Sequence, residues 1–415
     1  MKVLIISDVD VESGRGPVTR LAHVLPELTR RADVFLVALG HPDDTCRQAI
    51  EASGVRTRTL AFALRGWRVD RLGELVGEIA AVVEEERPDL VVLYREIWDL
   101  MHALPPVLRR LGTPFLVMPH SVPFLDAVPR PSRSFAWDLV RRLPGERRAH
   151  AWAYLLTHLH QARLMRTLPR VVINETVDFY LARYFPTAPS VAAIPGYAVE
   201  PPDPALTGPG GKTYDVAFMA KLTRGKGLFD TLEVMRHLRR SRPGARMVVI
   251  GSFEGKRVER QFLAARRRLG LTDAVELAGW LTGQQKQRVL ASARTFCYPS
   301  RSADTFSLCL LEALAHRLPA VCYDAPFARC VYGDTPAVRR VPFGSARAMA
   351  AALDALLNER AWVGKQAAAA RFASRYASWS AVGEAEISAY RAFLDGLPSA
   401  AGIPPVTSLV RSHRA

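Results

Sequence analysis

The sequence has few cysteines, and their pattern argues against both a zinc site and a disulfide framework. The 415 residues include five, at Cys46, Cys297, Cys309, Cys322 and Cys330. This number is odd, and the spacings match no zinc-binding pattern. Because disulfides persist in oxidising compartments, we expect reduced thiols and a cytoplasmic protein.

Long apolar runs are also missing from the sequence. No run reaches the roughly 18–20 residues that a membrane-spanning helix needs. Residues 1–6 lead directly into an apolar strand, which predicts that no secretory signal is present. The hydrophobic residues make up 49% of the chain and are evenly spread. Length and composition together predict a soluble chain of two or three domains, each with its own core.

Acidic residues are scarce relative to basic ones, since 40 Asp and Glu stand against 56 Lys and Arg, for a net charge of +16. A nucleic acid, an anionic membrane surface or an acidic substrate would account for this charge, and so would plain compositional bias. The arginines are dispersed, and no RNA-binding aromatic motif or zinc finger accompanies them, so we expect no nucleic-acid partner. A non-catalytic nucleic-acid-binding protein stays as an alternative that salt-dependent oligonucleotide binding would reveal.

The chain does contain a regular alternation of short β-rich runs and amphipathic helical segments. In the first half the predicted strands are residues 2–7, 33–39, 55–61, 89–94, 114–118, 171–174 and 191–194. This alternation predicts a parallel, doubly wound α/β sheet, whose ligands bind beyond the carboxyl ends of the strands. Gly14, Gly16 and His120 follow such ends, as a candidate phosphate loop and a candidate catalytic group. A plain turn and a structural histidine are the alternatives.

Residues 196–213 are dense in proline and glycine and predict a linker between domains of residues 1–195 and 214–375. The predicted strands of the second domain are residues 214–219, 246–250, 275–277, 293–298 and 320–323. The loop after its first strand carries Lys221, Arg224 and Lys226. Three cations in a short loop at the carboxyl end of a strand suit a diphosphate, and a solvated loop is the alternative.

Residues 299–319, PSRSADTFSLCLLEALAHRLP, are the most informative stretch. A polar loop runs to Asp304, and from Phe306 apolar residues recur at helical spacing. The helix start offers free N–H groups and partial positive charge for a phosphate. Asp304 and Glu312, about two turns apart, offer carboxylates for hydroxyl groups, so the stretch suits a nucleotide-activated sugar. In the alternative, Asp304 is an ordinary helix cap and Glu312 a core acid with a local partner.

These segments resemble those of the retaining glycosyltransferases of family 4, which have the GT-B fold. After the first strand of its second domain that family has a Gly-Arg-Leu segment and a Lys-Gly pair, where this chain has AKL at 220–222 and KG at 226–227. The VVIG segment at 248–251 and the GW pair at 279–280 match its next two segments. Its signature of two acids separated by seven residues is matched by PS at 299–300, DTFS at 304–307 and EALA at 312–315.

Three positions depart from the pattern of the family. Asp304 stands where the family has glutamate, Ser307 where it has glycine, and Lys221 where it has the arginine that binds the diphosphate. Lysine keeps the charge of arginine but loses its two-pronged geometry. The identity of the donor sugar therefore stays open.

The resemblance implies two Rossmann-like doubly wound domains that face each other across a cleft. It implies transfer of a sugar from a nucleoside diphosphate sugar to a hydroxyl acceptor with retention of configuration, without a metal ion or other cofactor. Polysaccharide, glycolipid or cell-envelope glycan biosynthesis is the expected setting. Catalysis then rests on positioning and on electrostatic stabilisation of the leaving diphosphate. A sugar-nucleotide epimerase of the same architecture is the second alternative, and it would form product from the donor alone.

Residue roles follow from the same resemblance. Lys221 and Lys226 would bind the diphosphate, and His120 would approach the sugar from the opposite domain. Asp304 would bind hydroxyl groups of the transferred sugar, and Glu312 those of the ribose. The other expected donor-binding residues are Gly14, Gly16, Gly251, Trp280, Leu281, Thr305, Phe306 and Ser307.

Two further segments carry expectations of their own. Residues 129–170 interrupt the alternation with tryptophans and arginines on helical segments, which predicts attachment to an anionic inner membrane surface that presents a lipid-linked acceptor. Ordinary surface helices and a soluble acceptor are the alternatives. Residues 376–395 predict a helix that crosses back to the first domain, and residues 396–415 predict a loose basic tail.

Overall fold

In the computed structural model the chain divides into two compact units. The structure describes residues 1–9, 15–40, 42, 44–62, 64–65, 68–69, 71–95, 97–120, 151–185, 190–194, 196–206, 211–302 and 304–396. The first unit contains the described residues up to Ala198 and those from Ser378 onward. The second unit extends from Val199 to Ala377.

The first unit is built on a seven-stranded parallel sheet in the order β3-β2-β1-β6-β7-β8-β9. Its strands are β1 (Lys2–Asp8), β2 (Asp33–Leu39), β3 (Arg56–Leu60), β6 (Leu90–Leu93), β7 (Phe115–Val117), β8 (Arg170–Val172) and β9 (Ser190–Ala193). Two short strands, β4 (Leu64–Arg65) and β5 (Arg68–Val69), pair antiparallel outside it. The apolar sequences of β1 and β6 reflect burial of both faces, as in other parallel sheets.

The helices of the first unit follow the strands in alternation. They are α1 (Arg15–Thr29), α2 (Asp44–Ala52), α3 (Leu72–Glu86), α4 (Trp98–Arg110), α5 (Ala151–Thr167) and α6 (Glu175–Tyr184). The side chain of Asn174 caps α6, since its Oδ1 accepts a hydrogen bond of 2.9 Å from the amide of Val177.

The second unit has a six-stranded parallel sheet in the order β12-β11-β10-β13-β14-β15. Its strands are β10 (Tyr214–Met219), β11 (Met247–Ile250), β12 (Val275–Gly279), β13 (Ala293–Tyr298), β14 (Ala320–Tyr323) and β15 (Val338–Val341). Its helices are α7 (Leu228–Ser241), α8 (Lys256–Arg268), α9 (Gly283–Ala291), α10 (Leu308–Ala315), α11 (Pro326–Cys330), α12 (Ala346–Leu356) and α13 (Glu359–Ser374), after a 3-10 turn at Pro204–Leu206.

The order of each sheet reverses beside its first strand. In the first unit the switch point lies between β1 and β6, and in the second unit it lies between β10 and β13. Loops that leave neighbouring strands on opposite faces of a sheet form a crevice at such a point. The expected doubly wound α/β architecture is therefore confirmed, and it predicts one candidate site in each unit.

The last helix, α14 (Trp379–Asp395), packs on α1 and β9 of the first unit. Its Trp379 ring stacks on His23 at 4.8 Å between ring centroids. Gly383 lies against Glu27, and a side chain at that glycine would place its Cβ 2.6 Å from Glu27 Cβ. The end of the described chain is thus part of the core of the first unit.

A fully buried ion pair joins α14 to α1. Arg20 Nη2 lies 2.6 Å from Glu386 Oε2, and both side chains are 0% exposed. Arg20 also donates to the Tyr94 hydroxyl and to the carbonyl oxygen of Gly196, while the Tyr390 hydroxyl donates to Glu386 Oε1 at 2.5 Å. Each charge is therefore surrounded by hydrogen-bonding groups, which is the condition under which a buried pair is tolerated.

Candidate functional site

Two loops of the second unit pack directly on each other at the switch point of its sheet. Residues 220–227 follow β10, and residues 299–304 follow β13. The amide of Arg301 donates to the carbonyl oxygen of Gly225 at 2.8 Å. Gly227 has a φ of 75°, and a Cβ there would come within 2.0 Å of the carbonyl oxygen of Pro299. The glycine of the Lys-Gly pair is thus required sterically, because a side chain at this position would prevent the two loops from approaching.

Arg301 also anchors the second loop to α7. Its Nε donates to Asp230 Oδ2 at 2.6 Å, and the Tyr323 hydroxyl donates to the same oxygen at 2.8 Å. Asp230 lies in the first turn of α7, so the start of this helix and the loop after β13 are held in one arrangement.

Lys226 and Asp304 form the centre of this site. Lys226 Nζ pairs with Asp304 Oδ1, while the hydroxyls of Tyr298 and Ser300 donate to Asp304 Oδ2 at 2.8 and 2.5 Å. The carboxylate is 9% exposed and the lysine 28%. Burial, followed by the charge of Asp304, raises the pKa of Tyr298 well above its usual value, so its hydroxyl stays protonated. Lys226 keeps two N–H groups for other acceptors, and three donors already use most of the lone pairs of Asp304.

Ser307 is the cap of α10. The helix begins at Leu308, two residues later than predicted, and Ser307 Oγ accepts from the amide of Leu310 at 3.4 Å. The alternative that makes Asp304 an ordinary cap is therefore wrong. Ser307 has a φ of 68°, in the left-handed region, which costs a residue with a side chain about 1 kcal/mol. Glycine would adopt this backbone without that cost.

Glu312 has a local partner on another helix. Lys286 Nζ of α9 lies 2.7 Å from Glu312 Oε2, and the two side chains are 29% and 22% exposed. His316 Nδ1 lies 2.8 Å from the carbonyl oxygen of Glu312, and burial lowers the pKa of His316. Glu312 therefore has the local partner that the alternative expects, but it is half-buried and not a core acid.

The other expected donor-binding residues of the second unit follow neighbouring strands at the same edge of the sheet. Lys221 is exposed after β10, and Trp280, 54% exposed, and Leu281 follow β12. Gly251 follows β11 with a φ of 142°, and a Cβ there would lie 1.9 Å from the carbonyl oxygen of Ala220. The backbone brings these three loop starts together because carboxyl ends of parallel strands share one edge.

Phe306 differs from its neighbours because its side chain belongs to the core. It is 3% exposed, and its ring centroid lies 5.6 Å from that of Tyr376 and 6.2 Å from that of Tyr332. Phe306 can therefore offer a ligand only its backbone. Thr305 beside it is half-buried.

The first unit places a second group of polar residues at its own switch point. Asp8, the last residue of β1, pairs with Arg95, after β6, at 2.8 Å. His120 is 3% exposed, and its ring centroid lies 5.2 Å from that of Tyr94. Burial, with smaller contributions from Arg20 and Arg95, lowers the pKa of His120 well below its ordinary value, so the imidazole is neutral near pH 7. Gly16 lies in the first turn of α1, and Gly14 is outside the described residues.

The expected membrane segment is described only in its second part. Residues 129–150, with Arg141, Arg142, Arg147 and Arg148, are outside the described residues, and so are the side chains of Trp152 and Tyr154. On α5, Leu156 is 64% and Leu159 44% exposed. Arg163 and Arg166 are exposed at helical spacing from them, so one face of α5 combines leucine with arginine.

Two kinds of feature, a metal-binding cluster and a membrane-spanning helix, are absent from the described residues. Among them, no group of three or more His, Cys, Asp or Glu side chains could hold a metal ion. Within the same ranges, none of the helices is both long enough and apolar enough to cross a membrane.

Sequence reasoning missed three residues of the site. The sequence marks Ser300 as part of the PS motif and Tyr298 as the end of a strand. Neither pattern indicates that both hydroxyls donate to Asp304. Lys286 was not singled out, because a charge on one helix that meets a charge on another leaves no periodic signal.

Comparison with known proteins finds a family model and a relative that are similar to parts of this chain. Residues 203–375 match the family model described as glycosyl transferases group 1. A segment of 113 residues is 32% identical to phosphatidyl-myo-inositol mannosyltransferase of Mycobacterium leprae, and it spans 27% of this chain and 30% of that protein.

Solved structures resemble nearly the whole chain. Anabaena HepE in complex with UDP-glucose matches with a TM-score of 0.69 and 13% identity, covering 94% of this chain and 99% of that one. Sucrose-phosphate synthase of Thermosynechococcus elongatus matches with a TM-score of 0.71 and 15% identity, covering 95% and 99%. At this identity the likeness establishes the fold, which is GT-B with two Rossmann-like units.

Proposed function

We propose that this chain, whose residues 203–375 match the family model of the glycosyl transferases group 1, transfers a sugar from a nucleoside diphosphate sugar to a hydroxyl acceptor. The observation that carries the proposal is the Lys226–Asp304 pair at the switch point of the second sheet. The pair combines a carboxylate with an ammonium group that can donate further hydrogen bonds to a ligand. Both side chains lie in loops that pack directly on each other. The matched structure of HepE holds UDP-glucose, which supports this class of donor.

The donor is proposed to lie along the carboxyl edge of the second sheet. Lys221 and Lys226 bind the diphosphate, helped by the N–H groups at the start of α10. Asp304 accepts a hydrogen bond from a sugar hydroxyl, and Glu312 accepts one from the ribose. Trp280 and Leu281 are the candidates for contact with the base.

The reaction is proposed to retain configuration without a metal ion. The acceptor oxygen forms a bond to the anomeric carbon as the bond from that carbon to the diphosphate breaks, and a phosphate oxygen takes the acceptor proton. Lys221 and Lys226 stabilise the negative charge that develops on the leaving group, a role that a bound metal ion has in other enzymes. His120, neutral near pH 7, is a candidate hydrogen-bonding group for the sugar.

The acceptor is proposed to be lipid-linked and bound by the first unit at an anionic membrane surface. The exposed leucines and arginines of α5 support this, since apolar insertion and electrostatic attraction are the two terms of such attachment. Sedimentation with anionic vesicles tests it. Leu156→Asp with Leu159→Asp should reduce binding at low salt, whereas Val363→Asp, at a residue 56% exposed in the second unit, should not. Unchanged binding after both leucine changes, or after replacement of Arg141, Arg142, Arg147 and Arg148, would favour a soluble acceptor.

The transfer reaction is tested by incubation with UDP-, GDP- and ADP-sugars, with and without lipid-linked acceptors. We expect release of one nucleoside diphosphate, an unchanged rate in EDTA, and a product whose anomeric coupling in the NMR spectrum matches that of the donor. Conversion of the donor sugar to an epimer without acceptor would instead establish the epimerase alternative.

A further inference from the structure

We propose that Lys286 is a specificity-determining residue of the donor site, which recognises the ribose diol together with Glu312. The proposal rests on the nucleoside diphosphate sugar of the proposed function and on the assignment of Glu312 to the ribose. It adds a residue to which neither the family pattern nor the sequence assigns any role.

The observation is the ion pair between α9 and α10. Lys286 Nζ lies 2.7 Å from Glu312 Oε2, an oxygen that is fully shielded from solvent. The Glu312 side chain as a whole is 22% exposed, so the pair closes off one oxygen and leaves Oε1 to accept from a ligand. Lys286 is 29% exposed, and its contact with Glu312 is an ion pair without hydrogen-bond alignment, so its ammonium group can donate to a ligand oxygen.

A vicinal diol fits this pair because one of its hydroxyls can donate a hydrogen bond while the other accepts one. One hydroxyl donates to Glu312 Oε1, and its neighbour accepts from the ammonium group of Lys286. A carboxylate can only accept hydrogen bonds, so without the lysine both hydroxyls would have to donate to Glu312. The ammonium group supplies the missing donor.

The position of Lys286 supports a role in binding more than a role in stability. It lies four residues after Thr282, the residue at the N-cap position of α9, and Thr282 directly follows Trp280 and Leu281, the candidates for contact with the base. Partly exposed ion pairs contribute little to folding stability. The neighbouring His316 does not compete as a cation, since burial lowers its pKa and its Nδ1 is engaged by the Glu312 carbonyl oxygen.

The experiment measures discrimination between ribose and deoxyribose by calorimetry. UDP, GDP and ADP are titrated first, and the tightest of them is compared with its 2′-deoxy and 3′-deoxy forms. The variants are Lys286→Met, which keeps the length of the side chain and removes its charge, and Lys286→Arg, which keeps the charge. Arg288→Met is the matched control, because Arg288 is exposed on the same helix.

We expect the natural protein and Arg288→Met to bind the ribonucleotide at least fivefold more tightly than either deoxy form. Lys286→Met should lose the preference against one deoxy form, to within twofold, and keep the preference against the other. Lys286→Arg should restore part of the lost preference. Melting temperatures measured alongside should stay within a few degrees of one another.

Three results would overturn the proposal. Lys286→Met could discriminate both deoxy forms as the natural protein does, or weaken all three ligands by one common factor. It could also abolish binding altogether, which loss of a single ribose contact cannot explain. If the natural protein binds none of the three nucleoside diphosphates, the failure is that of the proposed function.

Discussion

The ion pairs of the two units differ in burial, and this difference separates structural charges from charges that a ligand can use. In the first unit, Arg20 and Glu386 are 0% exposed and are surrounded by Tyr94, Gly196 and Tyr390. In the second unit, Lys226 and Lys286 each keep more than a quarter of the side chain exposed while they hold their carboxylates. The first arrangement uses its hydrogen bonds internally, whereas the second retains donors for a ligand.

The largest effect should come from breaking the buried pair. Arg20→Met leaves Glu386 without its charge partner and should reduce the free energy of unfolding by about 3–5 kcal/mol, as loss of one partner of a buried pair does. Urea denaturation followed by circular dichroism measures it. Arg236→Met is the control, because that arginine forms an exposed pair with Glu233, and it should cost less than about 1 kcal/mol. A loss below 1 kcal/mol for Arg20→Met would remove the distinction between the two kinds of pair.

The next effect should appear in activity and not in stability. Lys226→Met removes a side chain that we propose binds the diphosphate, and it should lower kcat/KM for the donor by about a hundredfold, or about 2.7 kcal/mol of transition-state stabilisation. Stability should fall by less than about 1 kcal/mol, since the pair is partly exposed. Asp304 keeps its hydrogen bonds from Tyr298 and Ser300 in this variant. A variant that unfolds instead would make Lys226 a structural residue.

A smaller effect on stability should distinguish glycine substitutions at Ser307 and Ser345, the serines that cap α10 and α12. Ser307→Gly relieves a left-handed backbone and should stabilise the protein by about 0.5–1 kcal/mol. Ser345→Gly is the matched control, because Ser345 caps α12 with a φ of −91° and gains nothing from glycine. Thermal unfolding should therefore shift in opposite directions for the two variants. A lower melting temperature for Ser307→Gly would show that the hydrogen bond of the serine cap outweighs the relief of strain.

The smallest effect concerns the buried imidazole of the first unit. Since the folded protein lowers the pKa of His120, its neutral form is favoured by folding. The unfolded chain takes up a proton below about pH 6.5 while the folded protein does not, so the stability that depends on neutral His120 is lost as the pH falls through that value. His120→Asn should flatten the decline of the melting temperature between pH 7 and pH 5. An unchanged slope would assign the decline to other groups, such as His316.

Sequence reasoning predicted the fold well where the chain is buried and periodic. The bounds of β10, β13 and β14 agree with the predicted strands, because apolar runs flanked by loop residues mark strands that are buried on both faces. The strand β15, with the sequence VRRV, was missed because two of its four residues are exposed arginines. The start of α10 was placed too early, since the left-handed backbone of Ser307 leaves no trace in hydrophobic periodicity.

The partners of the site residues could not be predicted in the same way. Lys226 and Asp304 are 78 positions apart, and Arg20 and Glu386 are 366 apart. Spacing places each residue at the end of a strand or on the face of a helix. Which opposite charge it meets depends on how loops and helices pack, and that is visible only in three dimensions.

The most direct test of the account is a calorimetric titration of the natural protein and Glu312→Gln with the preferred nucleoside diphosphate, together with their urea denaturation. We expect Glu312→Gln to weaken binding at least tenfold, which is about 1.4 kcal/mol, and to change the free energy of unfolding by less than that. Equal affinity in the two proteins, or a loss of stability larger than the loss of binding energy, would contradict the claim that Glu312 and its lysine partner serve a ligand.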